Sequence, residues 1–119
     1  MAGRRLWIVD LAEAATLDFH DALRWTSERF GEAQAAVYEE TLTLAIDALT
    51  AGPKIAGVRP RDGLMQGLMS LHVARRKRKG RHVVLFRIDP SGDDTIQVLR
   101  LLHDSMDFAR HLKIPGSPG

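Results

Sequence analysis

The sequence predicts an α+β domain in which a helical hairpin packs on one face of a small, mainly antiparallel sheet. Two amphipathic stretches of helical period, from Asp10 to Gly31 and from Gly31 to Gly52, follow each other with almost no loop between them. Three short apolar stretches in the second half are joined by turns, which makes the corresponding strands antiparallel. Because neither helix can bury its apolar stripe alone, both must cover a flat apolar surface, which the strands provide.

The N-terminal half supplies one strand and the two helices. Leu6 to Val9 is short, apolar and rich in strand-forming residues, and Asp10 is placed to cap the helix that follows. Gly31 ends this first helix because glycine tolerates left-handed backbone, and Gly52-Pro53 stops the second. The apolar stripe of the first helix comprises Ala15, Phe19, Ala22, Leu23, Thr26 and Phe30, and that of the second comprises Tyr38, Leu42, Ala45, Ile46 and Leu49.

The second half supplies a three-stranded antiparallel meander after an irregular connection over residues 54–66. The predicted strands cover residues 68–73, 81–88 and 95–102. A basic loop joins the first two strands, and a turn rich in aspartate, proline and glycine joins the last two.

A short C-terminal helix is predicted over residues 105–112. Residues 1–112 are then a single domain. Residues 113–119, with two prolines and two glycines, are expected to form a flexible tail.

The composition narrows the classes of function. Cysteine is absent from the 119 residues, which excludes disulfides, thiolate zinc sites and cysteine nucleophiles and fits a cytoplasmic protein. No apolar run approaches the roughly 20 residues of a membrane-spanning helix, so we expect no membrane partner. The sequence has no phosphate-cradling glycine loop, nucleophile elbow or dinucleotide fingerprint, and no complete ligand set for a metal ion. We therefore expect neither a cofactor nor a metal.

Charge is segregated along the chain. Residues 1–50 hold 4 Lys or Arg and 9 Asp or Glu, whereas residues 51–119 hold 13 Lys or Arg and 6 Asp or Glu. Such polarity concerns partners more than fold, and the second half should attract an acidic protein or a nucleic acid. The strongest feature is the basic loop, residues 75–81, in which six of seven residues are cationic. It is either a solvated turn or a tip that contacts phosphates or acidic groups.

Two histidines near the strand ends suggest one possible chemistry. Histidine serves as general acid or base near neutral pH. If adjacent strands bring His82 and His103 to one face together with Arg87 or Arg100, these residues could form a metal-independent RNA-cleaving site. Arg87 and Arg100 also allow plainer interpretations. They could lie on a water-exposed sheet face, pair with Asp89 or Asp104, or dock an acidic partner.

Two segments carry a resemblance to a known family. The stretch Ser27-Glu28-Arg29-Phe30-Gly31 resembles the helix-to-helix junction of ParE-like toxins. The stretch Val98-Leu99-Arg100-Leu101-Leu102-His103, followed by Met106-Asp107, resembles their closing motif. With weaker matches in the first helix and central strands, the resemblance to the ParE branch of the RelE/ParE superfamily covers roughly residues 5–112.

This resemblance implies the toxin of a type II toxin–antitoxin pair, which inhibits DNA gyrase by direct binding and is not an enzyme. It also implies a small cognate antitoxin with an acidic C-terminal segment and a DNA-binding N-terminal part, joined to the toxin in a hetero-oligomer. The residues expected to contact the target are Arg100, His103, Met106 and Asp107. Those expected to contact the antitoxin or phosphates are Arg75, Arg76, Lys77, Arg78, Lys79, Arg81 and Arg87.

Two alternatives stay open. The first is a ribosome-dependent messenger-RNA endonuclease of RelE type, although no tyrosine follows Tyr38 and His82 stands near where those nucleases commonly carry an arginine. The second is a non-toxic module that only engages an antitoxin. One departure from the family leaves the target open, because residues 74–79 lengthen the link between the central strands with five basic residues.

Overall fold

The computed structural model describes residues 6–112 and confirms the α+β architecture. Two helices, α1 (Glu13–Phe30) and α2 (Glu32–Ala48), lie against one face of a five-stranded sheet, and α2 ends in a 3-10 turn (Leu49–Ala51). The strands, in spatial order β1-β5-β4-β3-β2, are β1 (Ile8–Leu11), β2 (Arg59–Pro60), β3 (Met69–His72), β4 (His82–Ile88) and β5 (Thr95–His103). A short helix, α3 (Phe108–His111), follows β5. The predicted tail, residues 113–119, lies outside the described residues, and the single-domain assignment stays a prediction.

The predicted meander of β3, β4 and β5 is confirmed, and two edge strands complete the sheet. β2 pairs antiparallel with β3 within the connection that was predicted to be irregular. β1 pairs in parallel with the first half of β5 and begins at Ile8, two residues later than predicted. This pairing places Asp10 inside the strand, opposite Gln97. The expectation that Asp10 caps α1 was therefore wrong, and Ala12 precedes the helix without a side-chain cap.

A single residue, Gly31, joins the two helices. Its φ angle of 92° is left-handed, a conformation that favours glycine, and its N–H donates to the carbonyl of Ser27 at 2.9 Å. Because the chain reverses within one residue, α1 and α2 form a tight hairpin, as predicted.

Apolar side chains fill both faces of the sheet. The larger cluster lies between the sheet and the helical hairpin and includes Leu42, Leu49, Val84, Phe86, Ile96 and Val98. A smaller cluster on the second face comprises Leu68, Val83, Leu85, Leu99 and Leu102, against which Phe108 and Leu112 pack. The helical stripes are buried as predicted except at Phe30, whose side chain is 62% exposed. The periodicity was correct, but the surface that covers α1 ends before Phe30.

A β-bulge interrupts β5 just beyond the point where β1 stops. Leu85 pairs with Arg100 whereas Phe86 pairs with Val98, so Leu99 is the extra residue. β1 reaches only Val98, and the outer edge of β5 beyond it therefore has no strand neighbour. There α1 supplies a carboxylate instead, because Asp18 accepts the backbone N–H of Leu101 at 2.9 Å.

Candidate functional site

Three histidines gather where the central strands end. His82 and His103 are directly paired residues of β4 and β5, so their side chains lie on the same face, and their ring centroids are 5.4 Å apart. His72 ends β3 on the opposite face, beside Val83. The structure thus brings His82 and His103 to one face of the sheet, as the RNA-cleavage hypothesis requires.

His82 is held by a tyrosine of the helical layer. The Tyr38 hydroxyl lies 2.6 Å from His82 Nδ1 and accepts the backbone N–H of Arg81 at 3.2 Å. Burial raises the pKa of Tyr38, so the hydroxyl keeps its proton, and it donates to Nδ1 in the tautomer that carries the ring proton on Nε2. Burial, together with the neighbouring His103, lowers the pKa of His82 to about 4. His82 is therefore neutral at physiological pH.

The polar network on the other side of these strands centres on Asp104. Its carboxylate accepts hydrogen bonds from the Arg81 guanidinium at 3.0 and 3.1 Å and from His72 Nε2 at 2.9 Å. The backbone N–H of Ala74 donates to His72 Nδ1, which assigns the ring proton to Nε2. The Arg81 and His72 bonds hold the pKa of Asp104 well below its usual range. Asp104 thereby ties the end of β5 to the end of β3 and to the basic loop.

The turn after β5 presents part of the predicted target-binding set. The backbone N–H of Ser105 donates to His103 Nδ1 at 3.2 Å, and the Ser105 hydroxyl lies 2.7 Å from the same atom. Met106 is 43% exposed. The carboxylate of Asp107 accepts the N–H of Ala109 at 3.1 Å and so caps α3. Of these residues, Met106 offers an apolar contact to a partner, whereas Asp107 orders the helix beside it.

Arg100 is engaged within the fold. Its guanidinium donates to both carboxylate oxygens of Asp18, from Nε at 2.7 Å and from Nη2 at 2.9 Å, and Nη1 donates to the carbonyl of His111. The side chains of Arg100 and Asp18 are only 22% and 14% exposed. Of the interpretations left open for Arg100, pairing with Asp104 or Asp89 is not observed within the described residues, and Asp104 is held by Arg81 and His72 instead. Arg100 fastens β5 to α1 and to α3.

Arg87 is not brought to the histidines. It lies opposite Gln97 near the far end of β4, and its Nε donates to Gln97 Oε1 at 3.0 Å. By strand alternation it faces away from the helical layer, whereas His82 and His103 face towards it. Arg87 therefore lies apart from the histidines, whereas Arg100, held by Asp18, lines a cavity of about 390 Å³ together with His82 and His103.

An apolar groove, which sequence reasoning missed, lies beside the histidines. It has a volume of about 750 Å³ and runs between the helix junction and the basic loop. Three of its side chains are strongly exposed for their size: Trp25 at 50%, Phe30 at 62% and Val37 at 54%. Trp25 contacts the Phe30 ring edge-on and the Arg29 guanidinium at 4.9 Å. The sequence carried a signal for this groove, because two large aromatic residues, Trp25 and Phe30, lie in the last turns of α1, where no covering surface was predicted.

The basic loop divides between two surfaces. Lys77, Arg78, Lys79 and Arg81 line the apolar groove. Arg78 is docked on α2, where its guanidinium donates to Thr41 Oγ1 at 2.9 Å and to the carbonyl of Val37 at 3.1 Å. Arg75 and Arg76 line a different cavity instead. The seven predicted contact residues therefore do not form one patch.

Residues 6–112 contain neither a candidate metal site nor a candidate membrane-spanning helix. Within residues 6–112, His, Asp and Glu side chains nowhere gather in groups of three that could hold a metal ion. None of the helices in that part of the chain has the length and apolar character that crossing a bilayer requires.

Comparisons with known proteins agree on one group. The family model described as the ParE toxin of the type II toxin–antitoxin system parDE matches residues 9–108. Toxin ParE1 of Mycobacterium tuberculosis (strain ATCC 25618 / H37Rv) is 33% identical over 102 residues, which are 86% of this chain and 94% of that protein. Toxin ParE1 of Caulobacter vibrioides is 29% identical over the same shares of both chains.

Two solved structures share the fold. A chain of the chromosomal ParDE TA system from P. aeruginosa superposes with a TM-score of 0.67 at 15% identity, over 83% of this chain and 97% of that one. A chain of the toxin–antitoxin complex RelBE2 from Mycobacterium tuberculosis gives a TM-score of 0.53 at 21% identity, over 82% and 98%.

Proposed function

Because the chain belongs to the ParE toxin family of type II toxin–antitoxin systems, we propose that it arrests growth by binding DNA gyrase and that a cognate antitoxin neutralises it. The observation that carries the antitoxin half is the apolar groove with its cationic rim. Protein segments that fold on binding insert apolar anchors into such grooves, and their carboxylates pair with the surrounding cations.

The antitoxin segment is acidic and lies in the groove. Its apolar side chains contact Trp25, Phe30 and Val37, and its carboxylates face Lys77 and Lys79. Trp25 is the central anchor, since exposed tryptophan in a pocket is the commonest interface hot spot. Two of the solved structures that share this fold come from a ParDE system and from a RelBE2 toxin–antitoxin complex.

The test of the antitoxin site compares two truncations of exposed apolar residues on the helical layer. Trp25→Ala should weaken binding of the co-expressed antitoxin by roughly 30-fold, the equivalent of about 2 kcal/mol. Leu44→Ala, which truncates a 47% exposed residue of α2 outside the groove, should leave the affinity unchanged. Equal affinities for the two variants, measured by calorimetry, would place the antitoxin elsewhere.

Gyrase contacts the turn after β5. Met106 and His103 supply the contacts, while Arg100 and Asp107 position the turn through their bonds to Asp18 and to α3. No catalytic group is needed for this action.

The direct test is supercoiling and DNA cleavage by purified gyrase in the presence of the chain freed of antitoxin. We expect loss of supercoiling with trapped cleaved DNA, and a roughly tenfold higher inhibitory concentration for Met106→Ala. Leu44→Ala again serves as the control. Undisturbed supercoiling at a large molar excess of the wild-type chain would remove gyrase as the target.

Ribosome-dependent RNA cleavage is the second candidate, favoured by the contact between the His82 and His103 rings. His82→Gln separates the two, because the gyrase contact proposed above uses the side chains of His103 and Met106, and His82 meets it only through the His103 ring. The gyrase proposal expects His82→Gln to remain inhibitory. Messenger-RNA cleavage on ribosomes that is present in the wild type and lost in this variant would favour the nuclease, and no growth arrest at all would favour a non-toxic module.

A further inference from the structure

The basic loop reverses direction at two adjacent residues. Arg76 and Lys77 have φ angles of 50° and 66°, left-handed values that in succession form a tight hairpin turn, which the N–H of Arg78 closes by donating to the carbonyl of Arg75 at 2.9 Å. Arg75 and Arg76 precede Lys77 and line one cavity, whereas Lys77, Arg78 and Lys79 line the apolar groove, and Arg78 also lines a further cavity with Arg75 and Arg76. The first cavity is not used by the antitoxin or the gyrase contact proposed above.

This arginine cavity is lined by the guanidinium-bearing residues Arg59, Arg61, Arg75 and Arg76 and has a volume of about 750 Å³. None of its lining residues is acidic, and the one histidine among them, His72, already gives its Nε2 proton to Asp104. Four cations around one concave surface repel each other unless an anion lies between them. The cavity therefore favours a negatively charged ligand.

Two of the arginines are oriented by the fold and two are free to reach a ligand. Arg61 Nε donates to Ser70 Oγ at 2.9 Å, and Arg75 Nη2 donates to the carbonyl of Ala56 at 3.3 Å. Each keeps further guanidinium N–H groups for a ligand. Within residues 6–112, the side chains of Arg59 and Arg76 form no hydrogen bond or ion pair, although the backbone of Arg59 pairs with Ser70 in the sheet. A site of this kind is partly ordered before its ligand arrives.

The lining also selects among anionic ligands. It contains no phenylalanine, tyrosine or tryptophan on which unstacked bases of a single strand could rest, and its one imidazole, His72, is held by Asp104 and by the N–H of Ala74. Its two largest apolar side chains, Leu71 and Val83, are buried and offer no anchor to an acidic peptide. The remaining mode of binding is contact with phosphate groups alone. Arginine guanidinium groups bind phosphates through two parallel hydrogen bonds, and phosphate contacts characterise binding to the backbone of a duplex. We propose that the arginine cavity binds the phosphodiester backbone of duplex DNA.

The test is the salt dependence of DNA binding by the full chain freed of antitoxin. Anisotropy of a labelled duplex of about 20 base pairs is followed between about 50 and 200 mM salt. Each phosphate contact contributes about −0.9 to the slope of log K against log salt, so four contacts give about −3.6. Arg59→Gln combined with Arg76→Gln should reduce the magnitude of this slope by about 2. Neither side chain bonds to the rest of the described chain, and the backbone pairing of Arg59 with Ser70 does not depend on its side chain, so the double variant should fold, which its thermal melt verifies.

The matched control is Lys77→Gln combined with Lys79→Gln, which removes two positive charges, as the arginine variant does, but from the side of the basic loop that lines the apolar groove. An unchanged slope in this control, with the reduced slope of the arginine variant, supports the proposal. Equal losses in both variants would show a diffuse electrostatic surface and overturn it. So would the absence of binding at about 50 mM salt, or tighter binding of a single-stranded RNA or of a polyglutamate peptide than of the duplex. Because no gyrase is present, failure here is distinguishable from failure of the proposed target.

Discussion

Replacing Asp18 with alanine is expected to destabilise the protein by about 3 kcal/mol, and the structure shows where that free energy comes from. The substitution removes three hydrogen bonds at once: two from the Arg100 guanidinium and one from the backbone N–H of Leu101. It leaves a cation without its counter-charge and a strand N–H without an acceptor, at the edge that β1 does not reach.

The magnitude follows from the burial of the pair. Breaking a fully buried ion pair by removing one partner costs about 3–5 kcal/mol, whereas exposed pairs contribute about 0–1 kcal/mol. Side chains that are 14% and 22% exposed lie nearer the first limit. The unpaired N–H of Leu101 adds a further cost of about 1–3 kcal/mol, and water that enters at the open edge offsets part of the total. For a domain of this size, about 3 kcal/mol corresponds to a fall of roughly 12 °C in the melting temperature.

The assay is urea unfolding of the wild type, Asp18→Ala, Arg100→Ala and the double variant. A double-mutant cycle should give a coupling energy of about 2 kcal/mol between the two side chains. The control is Asp21→Ala on the same helix, since Asp21 pairs with Arg24 at 2.6 Å but both side chains are largely exposed. We expect this control to change the free energy of unfolding by less than about 0.5 kcal/mol. A cycle for Asp18 and Arg100 that gives no more than that would refute the reasoning.

Three further predictions concern the site. Burial and the charge of His103 lower the pKa of His82 to about 4, below its unfolded value, so protonation favours the unfolded chain. Stability should fall by about 1 kcal/mol between pH 7 and pH 5, after a discount for partial solvent access, and His82→Gln should flatten this loss in urea titrations at the two pH values. Gly80→Ala should lower the free energy of unfolding by about 1–3 kcal/mol, because a Cβ there would lie 2.6 Å from a methyl of Val73, the residue after β3. The control is Gly63→Ala, whose Cβ meets nothing within 4 Å and which should be neutral by the same titration. Lys77→Gln with Lys79→Gln should slow antitoxin association in stopped-flow mixing and reduce its dependence on ionic strength, and an unchanged rate would contradict the proposed cationic rim.

The elements of this fold were predictable where local pattern determines them. The helical period, the left-handed Gly31 and the turn residues between strands gave both long helices and the meander, because each signal acts within a few residues. β1 was displaced by two residues because its bounds depend on parallel pairing with β5, which lies more than eighty residues later in the chain. Two-residue β2 owes its pairing to β3 alone and carries no strand pattern of its own.

The site was predictable only in part, for the same reason. His82 and His103 could be placed together because consecutive antiparallel strands bring the start of one beside the end of the next. The partner of Arg100 could not, since nothing local distinguishes Asp18 from Asp104 as the carboxylate that reaches it. The apolar groove was missed because periodicity identifies the apolar face of α1 but not the point at which its covering surface ends.

The turn at Arg76 and Lys77 also sets a condition for thermodynamic coupling between the two surfaces of the basic loop. Five peptide units separate Arg75 from Gly80, so if a ligand at the apolar groove shifts the loop, the rim of the arginine cavity shifts with it. If the antitoxin changes the affinity for DNA by some factor through this segment, DNA must change the affinity for the antitoxin by the same factor. Binding at one surface would then change the binding affinity of the other without any movement of the sheet.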